Sequence, residues 1–356
     1  MFQTSLSKVE TRRACEQRYV YRYIEKLRAK VVARPLRFGD LFHKMLEADA
    51  NNLDPFAALK DATVSNSKLF REERESIAAI VSDITYIWKA YKDYYKKDQL
   101  QLLPVKVWER TLGKPINKTA KTVGEAVGFA PKPKEQYAEH WIDNVEIAPG
   151  IEFTGKIDGF VRSRKMNWLL EHKTTENFPD SDTRWRNLQS CLYIRIVEML
   201  GWFTLSGTLW NYIRSKPPTH MKPNEKNPGM SVRKIDSLPA VVIDDITNAG
   251  FSPSNYSGFI NDITANIPSW FDRVYTPIKK PVIDMVWRDF IVTSKEMKEV
   301  EEEYSAAHPR RPVRTIGRHC SWCEFEALCR AELTGADADF VREHEFEIRP
   351  PKDKAQ

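Results

Sequence analysis

Gly155-Lys156-Ile157-Asp158-Gly159, and then, with twelve residues between Asp158 and Glu171, Glu171-His172-Lys173, decide how this chain is read. Phe153, Gly155 and Ile157 alternate with polar or small residues, residues 162–167 are polar enough to turn, and residues 168–170 restart an apolar strand. That pattern predicts a β-hairpin with Asp158 on one strand and Glu171 and Lys173 on the next. Side chains two apart on a strand share a face, so Glu171 and Lys173 point one way and His172 the other. Two carboxylates converging on one spot repel each other unless a cation lies between them. Mg2+ or Mn2+ is held by one or two carboxylates together with water and phosphate oxygens. A lysine beside such an ion orients or deprotonates a water, or offsets charge building on a phosphate. The set is that of a phosphodiester-cleaving site; the bland alternative is a hairpin with three solvated charges.

Working outward, 356 residues with 42% hydrophobic content are enough for two or three packed units, or for one core with a large insertion. The net charge of +6 is mild, but its distribution is not. Residues 8–37 carry +7, 110–134 carry +5, 214–234 carry +5 and 308–318 carry +4, leaving −15 for the remainder. Charge concentrated in this way is the expected footprint of a polyanion-binding face. No apolar run is long enough to cross a bilayer. Met1-Phe2-Gln3-Thr4-Ser5-Leu6-Ser7 lacks a basic region followed by an apolar core, so no secretory leader and a cytoplasmic location are expected. No phosphate-binding loop or motor motif is visible, since the stretch from Gly113 to Lys118 lacks the second glycine.

Periodicity predicts helices over 5–33, 38–50, 55–100, 182–200, 257–273 and 294–306, and strands over 137–147, 207–213 and 238–243 besides the hairpin. Residues 113–135 and 214–231, rich in Gly, Pro, Lys or Asn, are expected as loops. The divisions that follow are 1–50 (N-terminal helices), 51–135 (helical insertion and basic loop), 136–213 (catalytic core), 214–310 (basic loop and helical region), 311–335 (cysteine clamp) and 336–356 (a loosely held tail).

Cys320-Ser321-Trp322-Cys323 and Cys329 form a second constellation. Thiolates at these spacings reach one metal or cluster without distorting the backbone, and in a cytosolic chain cysteines are ligands or free thiols rather than disulfides. Cys15, far upstream, is the candidate fourth ligand; Cys191 in an apolar helix is the alternative, and His319 would instead complete a zinc site.

Three further motifs accompany these. They are Gly39-Asp40-Leu41-Phe42-His43, Gln189-Ser190-Cys191-Leu192-Tyr193, and Ser5-Leu6-Ser7 ahead of Cys15. Together with the hairpin and the cysteines, they resemble the RecB-type branch of the PD-(D/E)XK nucleases. Within it they resemble the iron–sulfur subgroup of AddB-type nuclease domains and CRISPR-adaptation exonucleases. The resemblance covers residues 1–45, 137–213 and 315–332, and departs where Glu16 follows Cys15 in place of a proline. It implies an α/β, restriction-endonuclease-like fold with a mixed central sheet flanked by helices. It further implies that His43, Asp158, Glu171 and the carbonyl of His172 hold Mg2+ or Mn2+, and that Lys173 positions the water, braced by Gln189 and Tyr193. Cys15, Cys320, Cys323 and Cys329 would hold a [4Fe-4S] cluster, with zinc as the alternative. The expected activity is that of a metal-dependent DNA exonuclease or end-processing nuclease in recombination, repair or phage DNA metabolism. Its expected partners are single-stranded or free-ended DNA and a helicase or recombination protein. A catalytically idle DNA-end-binding module is the competing reading.

Overall fold

The computed structural model describes residues 1–64, 71–107, 134–179, 182–224, 228–305 and 311–349. The chain begins with β1 (Phe2–Thr4), α1 (Leu6–Ala14), α2 (Glu16–Tyr19), a π-helical turn (Val20–Ile24) and β2 (Leu27–Ala29). Three helices follow, α3 (Arg34–Ala50), α4 (Pro55–Val64) and α5 (Arg71–Tyr94). After the short strands β3 (Gln101–Leu102), β4 (Val105–Val107) and β5 (Lys134–Gln136) come β6 (Ala138–Ala148), β7 (Ile151–Ser163) and β8 (Met166–Thr175). Helix α6 (Leu188–Met199) leads to β9 (Gly207–Arg214). The remaining elements are α7 (Pro239–Asn248), α8 (Ser257–Ala265), β10 (Phe271–Pro277), α9 (Lys280–Tyr304), α10 (Glu326–Thr334), α11 (Ala338–Glu345) and β11 (Phe346–Ile348).

The expected mixed sheet flanked by helices is present. Seven strands form it, in the order β1-β7-β8-β9-β10, with β6 and β3 also pairing β7. The hairpin partners β7 and β8 are antiparallel, whereas β8 and β9 are parallel. A parallel pair requires a crossover, and α6 supplies it. On one face α1, α6 and α9 bury Phe153, Ile157, Phe160, Leu169, Ile194 and Phe290 in a common core. On the other, Phe38 and Phe42 of α3 and Ile80, Ile84 and Tyr91 of α5 pack with Ile213 and Phe271.

Several expectations are corrected. The 5–33 helix is broken at Cys15, whose backbone is extended (φ −167°, ψ 124°), and gives way to β2. Residues 239–248 are a helix rather than a strand; a short apolar run is ambiguous between the two, and Pro239 at the first helical turn favours helix. Phe271–Pro277, whose first residues fall within the expected 257–273 helix, is a strand of the central sheet paired with β9. The core therefore extends past residue 213, and α5, expected within an insertion, forms one of its layers. The C-terminal segment is not loose as far as residue 349. β11 pairs with β2, and Phe346 packs with Tyr21, Leu27 and Phe325. The predicted loop at 113–135 lies almost entirely outside the described residues.

Candidate active site

The β7–β8 ladder runs from Ser163↔Met166 to Gly159↔Leu170 and stops there. Beyond that pair β7 continues beside β6 and β1, while β8 continues beside β9. The strands fork between Asp158 and Glu171, the two residues that would have formed the next pair. A fork leaves backbone donors without ladder partners. Asp158 takes one of them, with His172 N–H donating to its Oδ2 at 2.7 Å.

Helix α3 carries His43 over this fork. Gly39, one turn earlier on the same helix face, is where α3 meets β8: a Cβ there would lie 2.9 Å from Thr174 Oγ1. His43 Nδ1 stands 3.8 Å from Asp158 Oδ1 and 4.0 Å from Glu139 Oε1. Among the described residues, His43, Glu139 and Asp158 are the one group of His, Cys, Asp or Glu side chains whose ligand atoms all lie within 4.8 Å of one another. Sequence reasoning missed Glu139. It lies at the start of a predicted strand, and its placement depends on a backbone kink there (φ +59°) that no residue pattern announces. Lys156 forms an ion pair with its other oxygen.

Glu171 and Lys173 face α6, as expected of alternate strand residues, and His172 faces α3 and α5, where its Nδ1 lies 2.7 Å from Asn211 Nδ2. Lys173 Nζ contacts Glu171 Oε1 at 2.6 Å and donates to Gln189 Oε1 at 2.9 Å. Tyr193, one turn further along α6, is buried against Gly155, where a Cβ would come within 3.3 Å of its ring and 2.7 Å of Phe153. The structure thus gathers His43, Asp158 and Glu139 on one side of the fork, and Glu171, Lys173, Gln189 and Tyr193 on the other.

Electrostatics follow from burial and crowding. Burial, with the charge of Glu139, raises the pKa of Asp158 above its ordinary value, and burial with the charge of Asp158 raises that of Glu171 to about 7. Burial opposes charge on His43, but Glu139 and Asp158 outweigh it and raise its pKa. For Glu139 the balance is the reverse: burial is outweighed by His43 and Lys156, and its pKa falls. Lys173 is only partly buried; desolvation works against its charge, but Glu171 outweighs it and holds the proton more firmly than usual. Glu171 Oε2 is buried with no hydrogen-bond partner among the described residues. An orphaned carboxylate oxygen behind a cluster of three donors is a fit for a divalent cation, which also relieves the carboxylate repulsion.

The cysteines converge elsewhere. Cys15, Cys320, Cys323 and Cys329 line one cavity of about 260 Å³, together with Arg18, Tyr21, Arg314 and His319. Cys191 is not among them. It sits on the core face of α6, fully buried, where burial pushes its thiol up to about 11.

Much of the basic charge is used internally. Arg12 pairs with Glu16, Arg22 with Glu324, Arg34 with Asp83, Arg214 and Lys216 with Asp236, and Arg314 with Glu332. The 110–134 stretch lies outside the described residues save its last, Lys134.

A family model described as the PD-(D/E)XK nuclease superfamily matches residues 3–330. No curated protein matches the chain.

Proposed function

The chain belongs to the PD-(D/E)XK nuclease superfamily, and from that premise we propose that it is a Mg2+- or Mn2+-dependent deoxyribonuclease that processes DNA ends. We place it in the RecB-type iron–sulfur branch, in the cytoplasm, serving recombination, repair or phage DNA metabolism beside a helicase or recombination partner. Among the described residues no helix is long and apolar enough to cross a membrane. The observation that carries the reading is the meeting of His43, Glu139 and Asp158 at the fork, with the Glu171–Lys173 pair directly across it.

His43, Glu139, Asp158, Glu171 and the carbonyl of His172 would hold the divalent ion, which when bound supplies a water of lowered pKa and positive charge for the scissile phosphate. Lys173, holding its proton, orients the attacking water and offsets charge on the phosphate. Gln189 fixes its ammonium from the α6 side, and Tyr193 closes the wall beside Gly155. His43 must lose its own proton before its nitrogen can act as a ligand.

Cys15, Cys320, Cys323 and Cys329 would hold the [4Fe-4S] cluster in a structural role. What supports a shared group is that all four cysteines border one cavity, and the spacing of Cys320, Cys323 and Cys329 lets thiolates reach one metal or cluster.

The test uses protein purified without oxygen, end-labelled single-stranded DNA and Mn2+, beside Lys173→Ala. Shortening by the wild type alone supports the nuclease and gives its polarity from which label is lost first. Equal cutting by the variant refutes the role of Lys173. No cutting by either, with tight salt-sensitive binding by both, favours the end-binding module.

A further inference from the structure

Beside the carboxylate cluster lies an aromatic side chain that the core does not use. The β6–β7 register places Ala138 opposite Gly159, His140 opposite Ile157 and Trp141 opposite Lys156. Glu139 and Asp158 therefore face each other, and Trp141 and Lys156 form the next pair along the same face. The contacts agree: Lys156 pairs with Glu139, and its ammonium stands 5.7 Å from the centre of the Trp141 ring. The flanking residues His140 and Ile142 are buried at 1% and 2% exposure, whereas Trp141 is 51% exposed. An indole left in water at a strand centre forgoes a large apolar burial.

We propose that Trp141 and Lys156 form a platform that takes an unpaired nucleobase and its phosphate next to the scissile bond, so that the substrate must be single-stranded there. The inference rests on the nuclease reading of the same site. Three observations carry it: the exposure of the ring, the cation beside it, and the position two residues from Glu139 on the face that presents the carboxylates. A strand whose phosphate lies against the cluster brings a neighbouring base over the indole. Base–aromatic stacking is available to any base with a free π-face, so the platform reads strandedness rather than sequence. In a duplex those faces are already occupied by neighbouring bases. Lys156 adds a phosphate contact that weakens with salt.

The experiment measures binding by fluorescence anisotropy in chelator, with a dye-labelled oligothymidylate and the same strand carrying abasic residues. Trp141→Leu keeps apolar bulk but removes the aromatic face, and Trp141→Phe keeps a face. For the intact strand, Trp141→Leu is expected to bind about tenfold more weakly, while Trp141→Phe binds close to wild type. On the abasic strand all three proteins are expected to bind alike, because no base remains to stack. Equal losses on both strands, or no loss on either, would overturn the platform. Because no cleavage is needed, a wild type that binds in this base-dependent way but never cuts DNA defeats the nuclease reading and leaves the platform standing.

Discussion

At the scale of single residues, the site is held under electrostatic tension that a cation would relieve. A carboxyl whose pKa is raised on folding binds its proton more tightly in the folded state. Its contribution to stability is favourable at low pH and is lost as pH rises through the folded pKa. Asp158 and Glu171 both have this sign, and His43, also raised, has it too. Glu171→Gln removes one member of the set. In chelator near neutral pH it should stabilise the protein by about 1 kcal/mol, and the gain should vanish as pH falls into the usual carboxylate range. Thermal melts of variant and wild type across that range check this, while cleavage by the variant should fall about a thousandfold. A variant less stable than wild type at neutral pH would contradict the assigned tension. The four residues that set this tension were not equally legible. Asp158 and Glu171 stand in a hairpin whose alternation is plain, and His43 follows Gly39 at helical spacing. Glu139 becomes a neighbour of His43 only through a left-handed kink and a pairing with β7, neither of which leaves a mark in the local sequence.

At the scale of elements, the seat of α3 on β8 sets the distance of His43 from the fork. Gly39 makes that approach possible, and its obstacle would be a single atom, Thr174 Oγ1. Gly39→Ala adds helix propensity worth about 1 kcal/mol, yet it places a methyl at that oxygen. The expected result is an unchanged or raised melting temperature with several-fold weaker Mn2+ affinity by calorimetry. Thr174→Ala, which removes the oxygen, should restore affinity in the double variant. Failure of the second substitution to rescue would mean that α3 is not positioned by this contact. Legibility at this scale follows length. The long amphipathic stripes of α3 and α5 and the alternation of β7 show clearly in the sequence, because many residues repeat one period. The seven residues of β10 and the ten of α7 hold too few periods for the pattern to choose, and their types are settled by pairing with β9 and by Pro239.

At the scale of the whole molecule, the two chain ends are fastened together away from the fork. Cys15 sits at the break after α1, and the other three cavity cysteines follow more than 300 residues later. Around them, β2 pairs with β11, Tyr21 donates to Glu332 at 2.6 Å, and Arg342 pairs with both Glu25 and Glu332. The grouped C-terminal cysteines are plain in the sequence, but the strand beyond them is not, being three residues with a single buried anchor, Phe346. These two parts of the clamp separate by mutation. Phe346→Ala empties a small apolar cluster but leaves every thiol in place. It should cost about 3 kcal/mol, free the segment after residue 335 to proteases, and leave unchanged whatever brown colour the proposed iron–sulfur cluster gives the wild type. Cys320→Ala removes a ligand of the proposed cluster and should lose that colour, with a larger fall in melting temperature, because the closure of a loop spanning most of the chain is released. The same proteolysis assay read with visible absorbance distinguishes the two. A Cys320→Ala protein that keeps its iron and its melting temperature would remove the clamp from the cysteines and leave it to the apolar cluster and the ion pairs alone.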